Sequence, residues 1–220
     1  MNFDRIAPFY QFIESVSGGA LPQRCRLTHF NFLKGCSNTL LLGEGNGRFL
    51  CEILRRFPGM KVTVVDSSAR MLELAQKRLA RHGHPDTNIT WVNQDIRDWE
   101  GGGAHFHAIV ANFFFDCFRP LDLQRIIHAV ARLADDDAVW LVADFQHPRP
   151  LLRRLRAKAM LAAMYAFFRK TTRLNARTLT DPDEYLEDSG FELRERRTYD
   201  WGLMQADVWQ HTHPARPVAH

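Results

Sequence analysis

The 220-residue sequence has no apolar run near the ~18 residues that a membrane-crossing helix requires. Its four cysteines, Cys25, Cys36, Cys51 and Cys117, form no CxxC pair and lack the spacing of a disulfide framework or zinc ribbon. Residues 1–20 lack the basic start and small-residue cleavage site of a secretory signal, and they carry Asp4 and Glu14. These absences predict a cytoplasmic protein with reduced thiols. No internal repeat is present. The net charge of +4 is too small to point to nucleic acid by itself.

What charge there is lies in one place. Between Arg149 and Arg177 there are nine basic residues and no acidic one, so the rest of the chain is net acidic. The same segment is apolar from Ala159 to Phe168, which suggests burial or a greasy partner rather than plain solvation. Three readings stay open for 149–177: a solvated helix, a peripheral contact with anionic lipid, or a lid over a pocket. The lid is preferred, with Tyr165, Arg169 and Thr172 facing an anionic or lipophilic substrate.

Apolar periodicity predicts helices over residues 3–16 and 21–33, separated by Gly18-Gly19 and Pro22. The pattern then changes. Thr39-Leu40-Leu41-Leu42, closed by Gly43, is a buried parallel strand in type. Helices over 47–57, 69–81 and 121–133 alternate with strands over 61–65, 89–92, 107–112 and 138–145. After Pro148 and Pro150 comes a helical stretch over 151–171, then strand-like segments over 191–199 and 204–211. The expected fold is α/β, a Rossmann-like, doubly wound and mostly parallel sheet with N-terminal helices and a helical lid after the fifth strand. Residues 1–212 form one domain (1–36 N-terminal helices, 148–178 lid), and 213–220 a frayed tail.

The most informative segment is Gly43-Glu44-Gly45-Asn46-Gly47, between the first strand and its helix. Glycines at alternate positions let the backbone turn tightly and approach a ligand. Asp66 ends the next strand 19 residues after Gly47, about the ~20-residue spacing at which a carboxylate reaches a ribose hydroxyl. Asp95 follows the third strand, and Asn112 with Phe113 ends the fourth. All lie at carboxyl ends of neighbouring strands, where open α/β sheets bind ligands. A dinucleotide fingerprint would put its third glycine at position 48, which is Arg48.

This assembly resembles the class I S-adenosylmethionine-dependent methyltransferases from Leu40 to Phe145. The opening Phe3-Asp4-Arg5-Ile6-Ala7-Pro8-Phe9-Tyr10 also resembles the start of their quinone-type, small-molecule members. The resemblance implies S-adenosyl-L-methionine as cofactor, with Gly43, Glu44, Gly45, Asn46 and Gly47 beside its amino-acid part. Asp66, with Ser67 next to it, would hold the ribose diol. Asp95 would face the adenine amino group, Ile96 its ring, and Asn112 and Phe113 the sulfonium. Tyr10 would close over the cofactor. The sequence departs from the family at Leu41, where an acid is usual; the nearest acid is Glu44.

The implied activity is methyl transfer to a small molecule. Two residues could act as general base for a hydroxyl acceptor: His147, just after the fifth strand and Asp144, and Asp116 beside Cys117. The pairs His82/His84, His105/His107 and His211/His213 could share a strand face, but no carboxylate or cysteine joins them, so no metal is expected. Rival readings are a non-catalytic methyltransferase-like partner subunit, favoured by Leu41, and an RNA or protein methyltransferase. The latter would carry an N-P-P-Y/F loop, and both prolines are absent from Asn112-Phe113-Phe114-Phe115.

Overall fold

The strand of lowest polarity is the centre of the molecule. In the computed structural model, which describes residues 20–84, 87–146 and 179–212, β1 (Asn38–Leu42) lies between β2 (Lys61–Asp66) and β4 (Phe106–Asn112), parallel to both. With neighbours on both edges and helices on both faces, β1 meets no water, which is why it reads as an unbroken apolar run. Among the described residues the sheet has seven strands, in the order β3-β2-β1-β4-β5-β7-β6. β3 is Ile89–Asn93 and β5 is Ala134–Phe145, both parallel to their neighbours in the first five strands. β6 (Phe191–Tyr199) and β7 (Met204–His211) form a hairpin that adds antiparallel to β5.

Alternate residues of the strands serve two helical layers. Leu41, Val62, Val64, Val110 and Leu141 pack with α2 (Arg48–Arg56) and α3 (Ala69–Arg81), joined by Phe30 and Leu33. Leu40, Leu42, Ile109, Trp140 and Trp209 face α4 (Pro120–Ala131) and α5 (Asp183–Asp188). Each fully buried large apolar side chain contributes ~1.5–3 kcal/mol, so these two layers dominate the stabilisation. α3 begins where expected because the Ser68 hydroxyl accepts the Met71 N–H.

The expected helix over 21–33 divides. α1 (Ala20–Arg26) stops early, and a separate 3₁₀ turn covers Phe30–Leu33. The Thr28 hydroxyl donates to the Arg24 carbonyl and also bonds the Tyr199 hydroxyl at 2.7 Å, which ties the break to the hairpin. β5 starts earlier than its apolar run, because Ala134 pairs with Phe106 before the acidic Asp135-Asp136-Asp137. The short α5 was not expected. Residues 3–16, the basic segment 148–178 with its expected lid helix, and the tail 213–220 lie outside the described residues.

The hairpin is locked to α5 by one guanidinium. Arg196 donates to both oxygens of Asp207 at 2.8 Å and to both oxygens of Asp183 at 2.8 and 2.9 Å. The Asp207 side chain is fully buried, and burial pushes its carboxyl up to about 6 even beside Arg196. Removing the cation strands both acids. Arg196→Ala is therefore expected to destabilise the fold by ~3–5 kcal/mol in urea unfolding at pH 7.5. A loss below about 1 kcal/mol would show that the pairs add little.

Candidate cofactor and active site

Parallel strands end in loops on one edge, and there the helix-start N–H groups need acceptors. The loop 43–47 turns through three left-handed glycines, with φ of +60°, +69° and +81° at Gly43, Gly45 and Gly47. Two of these are forced by close approach. A Cβ on Gly43 would overlap the Phe114 ring, and one on Gly47 would come within 2.8 Å of the Ala75 Cα. Gly45 differs: a Cβ there would meet nothing within 4 Å, so the loop is open at its middle.

Carboxylates hold this loop. Glu44 Oε1 accepts the Phe49 and Leu50 N–H groups, both at 2.9 Å, and so caps α2 from inside the loop. Burial pushes the Glu44 carboxyl up to about 7, opposed by those N–H groups and by Arg26. Asp66 Oδ1 accepts the Ser68 N–H at 2.9 Å, and Oδ2 the Gly45 N–H at 3.4 Å. The loop and the second-strand acid therefore share one edge and touch. From behind, Arg78 Nε donates to the Asn46 carbonyl at 2.8 Å. The Asn46 side chain is 6% exposed, and its Nδ2 has no hydrogen-bond partner among the described residues. A buried donor without an acceptor is uncommon in a folded protein.

The other expected residues stand along the same edge. The Asp95 carboxylate is clasped by Arg97, which donates its N–H at 3.1 Å and Nε at 2.9 Å to Oδ1 and its Nη2 to Oδ2. That partner holds Asp95 below the ordinary carboxylate range. Ile96 is buried in the α4-side core, and Ser67 is exposed. Asn112 is buried at the end of β4. Phe113 has φ of +52°, a left-handed conformation that a non-glycine residue adopts at a cost of about 1–3 kcal/mol. It is held there by its N–H, 2.6 Å from the Ala143 carbonyl, and its ring lies 5.1 Å from Phe145. Asp116 is half-buried in the following turn. Tyr10, His147, Tyr165, Arg169 and Thr172 lie outside the described residues.

Two contributors were not legible as site residues. Arg26 of α1 stands 5.2 Å over the Phe113 ring and acts electrostatically on Glu44. Asp144 of β5 accepts the Phe115 and Asp116 N–H groups of the turn after β4 on Oδ2, at 2.9 and 3.3 Å. Neither belongs to a spacing pattern; only the folded edge assembles them. The cysteines show no activated thiol. Burial pushes Cys25 up to about 12 and Cys51 to about 11, and drives Cys117 well above the usual thiol value, with Asp116 and Asp144 adding to it. Among the described residues, no group of three His, Cys, Asp or Glu could hold a metal ion, and no helix is long and apolar enough to cross a membrane.

The sheet order, the glycine loop and the acid beside it define a class I, Rossmann-like methyltransferase fold. Residues 40–137 match the family described as "Methyltransferase domain". A carboxy-S-adenosyl-L-methionine synthase from Nautilia profundicola is 25% identical over 114 residues, 52% of this chain and 47% of that protein. A demethylmenaquinone methyltransferase from Chlamydia felis is 33% identical over 94 residues, 43% of this chain and 39% of that protein. The matches thus span less than half the length of either relative. An O-methyltransferase family protein from Burkholderia thailandensis shares the fold with a TM-score of 0.70 at 15% identity, covering 95% of this chain and 58% of that one.

Two tests address the loop. Gly47→Ala should destabilise the protein by at least about 1 kcal/mol, because it adds left-handed strain to a clash with the α3 backbone; an unchanged thermal midpoint would contradict the packing. The second concerns pH. Glu44 binds its proton more tightly folded (about 7) than unfolded (~4.3), so its ionisation weakens the fold as pH rises between those values. Glu44→Gln keeps the capping oxygen and removes the charge. Relative to this variant, the wild type should lose on the order of 2 kcal/mol from pH 4 to pH 7.5 in chemical denaturation. Parallel pH curves would contradict the buried placement of Glu44.

Proposed function

We propose that this protein transfers a methyl group from S-adenosylmethionine to a small-molecule acceptor, of lipophilic or anionic character. The observation that carries the reading is the contact at the open centre of the glycine loop. There the Gly45 N–H and the Asp66 carboxylate meet at 3.4 Å, next in sequence to Asn46, whose buried Nδ2 has no partner among the described residues. A ribose hydroxyl offers both a donor and an acceptor, and so can satisfy Asp66 and a backbone N–H together. The Asn46 amide suits a carboxylate oxygen. The open space at Gly45 accommodates a ligand that the side chain of any other residue would obstruct.

When bound, S-adenosylmethionine supplies an electrophilic methyl carbon on a positively charged sulfur. Gly43, Gly45, Gly47 and Asn46 would hold its amino-acid part, Asp66 with Ser67 its ribose, and Ile96 with Asp95 the adenine side. Arg97 already occupies Asp95, so any adenine contact there shares the carboxylate with that cation. Asn112 and Phe113 would wall the reacting end. Glu44 is committed to the α2 N-terminus through Oε1 and serves the loop's shape first. The catalytic contribution expected of these residues is alignment, worth up to ~7–11 kcal/mol when donor and acceptor are held in line. Asp116, and His147 beyond β5, are the candidate bases.

The rival reading, a methyltransferase-like subunit without catalysis, draws on Leu41, which is buried in the core where the resemblance expects an acid. Calorimetry separates the two. Wild type is expected to bind both S-adenosylmethionine and S-adenosylhomocysteine, and Asp66→Ala to bind about 10–100-fold more weakly, equivalent to ~1–3 kcal/mol. Failure of the wild type to bind either compound would sink the methyl-transfer reading, and unaltered affinity in Asp66→Ala would remove that residue from the site.

A further inference from the structure

The first half of the glycine loop is tied to the sheet and to α2. The Gly43 N–H donates to the Val65 carbonyl at 2.9 Å, Glu44 caps α2, and the Gly45 N–H meets Asp66. The last two residues, Asn46 and Gly47, are buried and lean on α3 instead. Ala75 of that helix lies so close to Gly47 that a Cβ there would come within 2.8 Å of the Ala75 Cα. Three residues further along the same helix face, Arg78 donates from Nε to the Asn46 carbonyl at 2.8 Å. Arg78 is half-buried, and among the described residues it forms no ion pair and makes this one hydrogen bond.

That bond fixes the direction of a peptide plane. The peptide between Asn46 and Gly47 is trans, so its carbonyl and its N–H point to opposite sides. With the carbonyl drawn towards Arg78, the Gly47 N–H is turned away from the guanidinium. Glu44 takes the Phe49 and Leu50 N–H groups of the same helix start, but no described residue accepts the N–H of Gly47. Asn46 adds a second donor without a described acceptor, its Nδ2. At the start of a helix, backbone N–H groups of this kind suit an anion, and a carboxylate is acceptor-only.

We propose that Arg78 is a positioning residue for the amino-acid end of the cofactor. It touches no ligand. It pins the 46–47 peptide with the carbonyl towards α3, and so presents the Gly47 N–H to the cofactor's carboxylate. Without the guanidinium this plane can turn over, because the glycine at its far end, now at φ of +81°, populates either sign of φ readily. A reversed plane would offer a carbonyl oxygen where the carboxylate needs a donor. The effect is confined to the amino-acid end, since the ribose and adenine fall to Asp66 and Asp95. The inference rests on the methyl-transfer reading, and the experiment keeps the two apart.

The test compares two compounds by calorimetry. S-adenosylhomocysteine carries the amino-acid end, and 5′-methylthioadenosine keeps the ribose and adenine but lacks it. Arg78→Met is expected to weaken S-adenosylhomocysteine about tenfold, the scale of a lost hydrogen bond to a charged group, and to leave methylthioadenosine within about twofold of wild type. Arg78→Lys, which keeps a cationic donor on a long stem, should recover most of that loss. Asp66→Ala is the contrast and should weaken both compounds. A merely structural Arg78 would move both compounds together, and that result overturns the proposal, as does unchanged S-adenosylhomocysteine binding in Arg78→Met. If Arg78→Met does not fold, the wild type still decides by nitrogen-15 NMR. Its Gly47 amide resonance should shift with S-adenosylhomocysteine and stay in place with methylthioadenosine; a response to both or to neither overturns the proposal. A wild type that binds neither compound ends the methyl-transfer reading itself, whereas binding of both without these differences ends this inference alone.

Discussion

Where the parallel strands of this sheet run out, backbone N–H groups are left without ladder partners, and the molecule answers them with carboxylates. Glu44 takes two from the first turn of α2, Asp66 takes those of Gly45 and Ser68, Asp95 that of Arg97, and Asp144 those of Phe115, Asp116 and Phe145. Each loop on the edge is thereby fixed by an acid. A buried N–H without an acceptor costs ~1–3 kcal/mol, so these bonds decide the shape of the edge rather than decorate it.

That arrangement explains why several acids here are hard to ionise. Asp95 is exposed enough and paired well enough with Arg97 to stay charged easily. Asp144 is buried and Glu44 and Asp116 are half-buried, with little cationic help, and their carboxyls move the other way. The same edge therefore contains acids tuned in opposite directions, Asp95 by its Arg97 partner and the others by burial.

Much of the fold was legible because buried parallel strands announce themselves as apolar runs and the helices between them carry a one-sided stripe. β1, β2 and α3 were readable almost to the residue, Ser68 included. The start of β5 was not, because Asp135-Asp136-Asp137 hides a strand whose pairing comes from Phe106. α5 was invisible since its six residues bury Leu186 alone among its apolar positions. In the site, Asp66 and the glycines were readable from spacing, and their contact follows from Leu42 lying beside Val65. Arg26 and Asp144 were not readable as site residues, because their roles arise from α1 folding over the edge and from β5 lying next to β4. Glu44 was recognised as an unusual acid, but its grip on α2 needed the loop's actual path.

The outer strand β6 carries a consequence of its own. Glu192, Arg194, Glu195, Arg196 and Arg197 crowd five charges of both signs into nine residues, on the strand of the hairpin that has no sheet neighbour on its far side among the described residues. Docking a second chain along that border would strip water from these ions, so the strand works as a fence against runaway sheet growth.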